Sequence, residues 1–166
     1  MRKLILLTLM ALALAACSTT RLTPEQKAAK EAREQQQLAE NLNDRHFTIH
    51  VDYMQPMRGP VKRLTSNYAL TLRGDTLISY LPYFGRAYNV PYGGGKGLNF
   101  TAPISDYQVA KNRRNNYWVE IKARNGEDEF VYNIEVFANG NASIMVYARE
   151  RDGIRFTGAM DLEERR

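Results

Sequence analysis

From residue 46 onward, apolar and polar positions alternate along the chain. Phe47, Ile49, Val51 and Tyr53 interleave with His46, Thr48, His50 and Asp52, the period-two pattern of a half-buried strand. Tyr68 to Arg73 predicts a second strand, turned by Gly74-Asp75 into a third over Thr76 to Tyr83. Leu98 to Thr101 and Tyr107 to Lys111 read as short strands separated by Pro103, with a turn over Asn112 to Asn115. Tyr117, Val119 and Ile121 alternate next, then Phe130, Tyr132, Ile134 and Val136, then Ile144, Val146 and Ala148, then Ile154 and Phe156. The turns between them fall at Asn125-Gly126, at Asn139-Gly140 (a type I′ pair) and at Asp152-Gly153. Strands joined so briefly cannot be parallel, because parallel neighbours need long crossovers. The expected fold is therefore all-β, an antiparallel meander of about eight strands over residues 46–166. Closure into a barrel removes the exposed sheet edges, and a two-sheet β-sandwich is the alternative.

Residues before 46 follow other patterns. Arg2 and Lys3 precede the apolar run Leu4 to Leu14, which is too short to span a bilayer, so residues 1–16 read as an export signal. Leu14-Ala15-Ala16-Cys17 fits a lipobox, in which small residues let a peptidase cut before a cysteine whose sulfur carries diacylglycerol. Cys17 is the single cysteine, so the exported domain forms no internal disulfide and rests on its core. Two or more acyl chains make a stable anchor where one does not. Ser18, rather than aspartate, after the cysteine points to the outer membrane.

Residues 17–45 form a charged segment with balanced charge. Thr23-Pro24-Glu25-Gln26 starts a helix, with Thr23 as N-cap, Pro24 at the first helical position and Gln26 closing a capping box. The helix is expected to reach about Asn41. Its stripe is mostly Ala28, Ala29, Ala32 and Ala39 with Leu38 and Leu42, too thin to bury firmly. It reads as a tether dispensable for folding; the alternative is a helix that packs on the domain or pairs with a partner.

Charge changes little. Lys and Arg number 23 against 18 Asp and Glu, and loss of Arg2 and Lys3 with the leader leaves an excess of only three. Scattered as it is, with Lys111 to Arg114 the densest spot, it excludes a nucleic-acid partner.

The centre of the domain is aromatic. Four of the ten tyrosines (Tyr80, Tyr83, Tyr88, Tyr92) fall between Ser79 and Gly97, beside the glycine run Gly93 to Gly95. Tyrosine carries a broad apolar face and a polar tip, and glycine lets a ligand approach the backbone. Tyr83, Arg86, Tyr88, Tyr92 and Lys96 are therefore the candidate ligand-binding residues. The competing possibility is that Leu81, Tyr83, Phe84 and Tyr88 plug one barrel end. Of these, Phe84 is expected in the core, and Tyr88 with Tyr92 at a binding mouth.

Catalytic and metal constellations are poor. His46 and His50 are the two histidines, roughly 13 Å apart on one strand face, too far to share an ion. No serine lies in a Gly-x-Ser-x-Gly elbow, and Gly93 to Gly97 lacks the following Ser/Thr and helix of a P-loop. Glu127-Asp128-Glu129 crowds a hairpin turn, where charge serves solubility. Neither an enzyme nor a cofactor or metal is expected.

Tyr80-Leu-Pro-Tyr-Phe-Gly-Arg-Ala-Tyr88, with Leu98-Asn-Phe100 and the closing Ile154-Arg-Phe-Thr-Gly158, resembles a family of bacterial envelope lipoproteins catalogued as a domain of unknown function. The resemblance covers about residues 47–160. It implies a β-barrel similar in outline to lipocalins and carries over no catalytic residues. The function expected is a lipid-anchored envelope protein, held to the membrane through Cys17, that binds a small apolar ligand or an envelope partner. The alternative is a structural interaction protein whose barrel is filled.

Overall fold

The computed structural model describes residues 23–88 and 97–162, so Cys17, Tyr92 and Lys96 lie outside the described residues. The chain divides into two compact units, Met1–Ala32 and Arg33–Arg166. Helix α1 spans Pro24–Asn43. Its start is the expected capping box: the Thr23 hydroxyl accepts from the Gln26 amide at 3.2 Å and the Gln26 side chain accepts from the Thr23 amide at 3.0 Å. It stops where Arg45 takes a positive φ of 53°.

Nine strands follow: β1 (His46–Pro56), β2 (Lys62–Arg63), β3 (Ala69–Arg73), β4 (Thr76–Leu81), β5 (Leu98–Lys111), β6 (Tyr117–Arg124), β7 (Glu129–Val136), β8 (Asn141–Ala148) and β9 (Arg151–Met160). They pair antiparallel in the order β2-β1-β3-β4-β5-β6-β7-β8-β9, and β1 also pairs with β9. The eight strands other than the two-residue β2 thus close a barrel with no sandwich split. β1 makes the closure by using two edges, with His46–His50 on β3 and Ile49–Pro56 on β9.

Irregularities decide which side chains face inward. The β1–β9 register slips between Val51 and Tyr53, so Asp52 is an extra residue and the inward parity flips. Met54 is consequently buried, and Tyr53, expected inside by strict alternation, is exposed. Pro103 does not break β5. It lies opposite Thr76, where β4 begins, so the missing amide interrupts little of the ladder. The two short strands expected there are one strand of 14 residues, with a second slip between Ile104 and Asp106. The Asn139-Gly140 turn is not type I′, because only Gly140 has positive φ. Its bonds, Gly140 amide to Phe137 carbonyl and Phe137 amide to Asn141 carbonyl, are those of a type I turn followed by a glycine bulge.

The barrel is filled. Phe130, Tyr132 and Phe156 are fully buried with Ile49, Leu70, Leu72, Ile121 and Ile134, and Phe100 stacks on Phe130 with centroids 4.6 Å apart. The compact unit starts at Arg33, ahead of the first strand, because Leu38 and Leu42 of α1 are 0% exposed within the same core. The Leu42 carbonyl accepts from the Tyr107 hydroxyl at 2.7 Å. The expectation that the stripe is too thin to bury fails here: two leucines one turn apart suffice, since they meet the apolar end of a barrel.

Candidate functional site

The barrel end opposite the α1–β1 junction is shaped by the chain between β4 and β5. Pro82 ends β4, and Tyr83 then folds back over Gly85, where a Cβ would stand 2.5 Å from the Tyr83 oxygen. The Tyr83 hydroxyl reaches the carbonyl oxygens of Arg86 at 2.8 Å and Asp152 at 3.1 Å. Residues 86–88 then run along the start of β9: the Asp152 amide donates to Arg86, the Tyr88 amide to Glu150, and Ala87 bridges Arg151. The Leu-Pro-Tyr-Phe-Gly-Arg-Ala-Tyr sequence thus encodes a lap of chain pinned to β9.

Beneath this lap lies a cavity of about 490 Å³, within the range of small-molecule sites. Its walls include Tyr68, Tyr80, Leu81, Tyr83 and Leu98, with Arg151 among them. The Tyr68 and Tyr80 rings are 5.2 Å apart, tilted by 36°.

Arg151 and Asp128 form a buried ion pair, Nε to Oδ2 at 3.1 Å, with side chains 6% and 0% exposed. Asp128 Oδ1 accepts the backbone amides of Glu129, Arg149 and Glu150. Burial and four donors therefore replace the solvated turn charge expected for Asp128. The aim of Arg151 comes from another bulge. Asp152-Gly153 was expected as a turn, but the β8–β9 hairpin turns at Arg149-Glu150, and the register slips between Val146–Ile154 and Ala148–Arg151. One extra residue in β9 lets Arg151 and Ile154, three apart, both point inward. The Arg151 guanidinium carbon lies 5.4 Å from the Tyr83 ring centre and 5.9 Å from that of Phe130. Further in, the Tyr132 hydroxyl donates to Ser79 Oγ at 3.0 Å, which donates to the Leu98 carbonyl at 2.7 Å.

Of the candidates from the sequence, Tyr83 lines the cavity. Burial pushes its hydroxyl above the ordinary tyrosine value, so it stays a donor. Arg86 is exposed and contributes its carbonyl to the lap. Tyr88 is 69% exposed, and its hydroxyl bonds to the Asp152 carboxylate, which raises the tyrosine and lowers the aspartate. Phe84, expected in the core, is 50% exposed, with Lys62 Nζ 4.0 Å above its ring. The lap turns its side chain outward because Tyr83 takes the inward position. His46 and His50 are exposed, and among the described residues no three His, Cys, Asp or Glu gather to hold a metal. Sequence reasoning missed Arg151, Tyr68 and the burial of Asp128. An arginine beside an Asp-Gly pair carries no signal of the bulge that turns it inward.

No match to a curated protein was found. The fold is similar to the crystal structure, at 1.95 Å, of a DUF4251 family protein from Bacteroides eggerthii DSM 20697. That likeness covers 80% of this chain and 89% of the other, with a TM-score of 0.61 and 15% identity, and it bears on the fold alone. Residues 29–160 match the family model for DUF4251, a domain of unknown function, and the chain belongs to that family.

Proposed function

We propose that this chain is a non-enzymatic, lipid-anchored β-barrel of the bacterial cell envelope that binds a small ligand of largely apolar character at one barrel end. Support for the anchor is Leu14-Ala15-Ala16-Cys17, with Ser18 favouring the outer membrane. The observation that carries the binding reading is the open cavity of about 490 Å³ walled by Tyr68, Tyr80 and Tyr83 at the end of a barrel whose interior is packed. A packed interior restricts the ligand to the mouth, unlike a deep calyx. The same filled interior favours a second reading, in which the outer surface docks on an envelope component.

The chain purified from membranes under non-denaturing conditions and weighed by native mass spectrometry should carry a small-molecule adduct that dissociates on activation. A bare chain, or one co-purifying only with a protein, would favour the second reading. Cys17→Ala should abolish palmitate labelling and release the protein from the membrane fraction. A variant still membrane-bound, beside an unlabelled wild type, would remove the anchor from the proposal.

A further inference from the structure

We propose that Arg151 is the anchor for a carboxylate, and that the ligand is a monocarboxylic acid with an apolar body. This inference rests on the ligand-binding reading above and names the chemistry of its occupant.

Guanidinium has five N–H donors, and Arg151 spends one, Nε, on Asp128. Asp128 needs no more from it, since three backbone amides fill its other oxygen. The four N–H groups on the two Nη atoms have no acceptor among the described residues. Asn125 Nδ2 is the buried side-chain nitrogen left without a partner there. The Nη atoms therefore keep access to the cavity that Arg151 lines. With the side chain only 6% exposed, the head of Arg151 is open to little beyond that cavity, so an apolar guest that displaced the water there without offering an acceptor would leave charged donors unpaired.

Geometry and charge narrow the acceptor. With Nε occupied, the open face of the guanidinium is its Nη1/Nη2 end, and two parallel N–H groups match the two oxygens of a carboxylate. Asp128 already balances Arg151, so one further negative charge is tolerable where a dianion such as a phosphate monoester would be repelled. Tyr68, Tyr80, Leu81 and Leu98 then offer ring and aliphatic surface to the rest of the molecule. An acid with no apolar body would leave that surface wet. A neutral apolar molecule would leave the Nη donors dry and unpaired.

Decanoate labelled with ¹³C at its carboxyl is the probe, titrated into the full chain in lipid nanodiscs, with empty nanodiscs correcting for acid dissolved in the bilayer. One bound equivalent is expected, with affinity at least ten-fold above that of decanol, the neutral molecule of the same chain length. The double variant Asp128→Asn/Arg151→Met removes both charges and so strands neither. It should still melt cooperatively, lose at least ten-fold in decanoate affinity and hold decanol unchanged. Should it fail to fold, Arg151→Lys keeps the ion pair but loses the fork, and should weaken decanoate several-fold. Equal affinity for decanoate and decanol overturns the proposal and leaves the apolar pocket standing. So does undiminished decanoate binding by the folded variant. Binding of neither probe also overturns it, and native mass spectrometry then judges the ligand-binding reading by itself.

Discussion

Removing the two leucines of α1 tests whether the helix is part of the domain. Leu38 and Leu42 are 0% exposed and lie one turn apart on one helix face. Truncating a fully buried leucine to alanine costs about 3–5 kcal/mol, the lost transfer energy plus the cavity left behind. Helix propensity works slightly the other way, because alanine is the better helix former by a few tenths of a kcal/mol. Leu38→Ala and Leu42→Ala should therefore each cost about 3 kcal/mol. The two sites adjoin, so the double variant should lose about 5 kcal/mol, less than twice the single cost, because the second cavity opens into the first. Against a typical domain stability of about 5–15 kcal/mol, that is a large share. Urea unfolding followed by far-ultraviolet circular dichroism reads it directly. With a slope near 2 kcal/mol/M, each single variant should lower the midpoint by about 1.5 M and leave the slope unchanged. A shift below about 0.5 M for both would refute the argument and return α1 to the role of a tether.

Two further outcomes follow from the barrel. Burial raises the Tyr107 hydroxyl to about 12, and burial likewise raises Tyr132, so the folded state holds protons that the unfolded chain releases near the ordinary tyrosine value of 10. Stability from these groups should be complete below pH 10 and decline as pH rises from 10 to 12. Tyr107→Phe should make that decline shallower in alkaline melts, and an unchanged slope would contradict it. At the closing seam, a Cβ on Gly158 would overlap the His50 carbonyl oxygen and stand 2.7 Å from Val51 Cα. Both obstacles are backbone, so Gly158→Ala should cost at least about 3 kcal/mol and speed amide exchange along β1 and β9. Gly153→Ala, which meets the mobile Met145 methyl at 3.0 Å, should cost less; the reverse order would refute the seam argument.

What the sequence revealed followed from repetition. Phe130, Tyr132, Ile134 and Val136 alternate without a fault and are all buried, as are Val119, Ile121, Ile144 and Val146. Short turns forced antiparallel neighbours, and the capping box at Thr23 and Gln26 needed only local chemistry. Three of the misread positions lie at or beside the three register slips. Strict alternation puts Tyr53 inside, Pro103 reads as a break in β5 and the Asp152-Gly153 pair as a turn, and the single extra residue at each slip leaves no compositional mark. The site suffered most, since one slip is what aims Arg151. The aromatic lap was visible as an unusual stretch, but which of Tyr83 and Phe84 faces in depends on the contact with β9. Leu38 and Leu42 look weak as a helical stripe and strong only when a barrel end is there to receive them.

The filled interior and the buried ion pair together locate function. Inside the barrel, Phe130, Tyr132 and Phe156 fill the space between the strands, and at the α1–β1 end Tyr107 hydrogen-bonds to the carbonyl of buried Leu42. The remaining end holds a cation and an anion that cost desolvation energy to bury, and such a pair is often no more stabilising than apolar residues of equal size. Asp128 has a structural task, because its Oδ1 takes three amides around the β6–β7 and β8–β9 turns. Arg151 neutralises Asp128 through a single donor and lies against the Tyr83 and Phe130 rings, and neither contact uses the four N–H groups at the end of its head beside the cavity. Stability alone would be served as well by a methionine at that position with asparagine as its partner. An arginine makes physical sense there when something in the cavity accepts its hydrogen bonds.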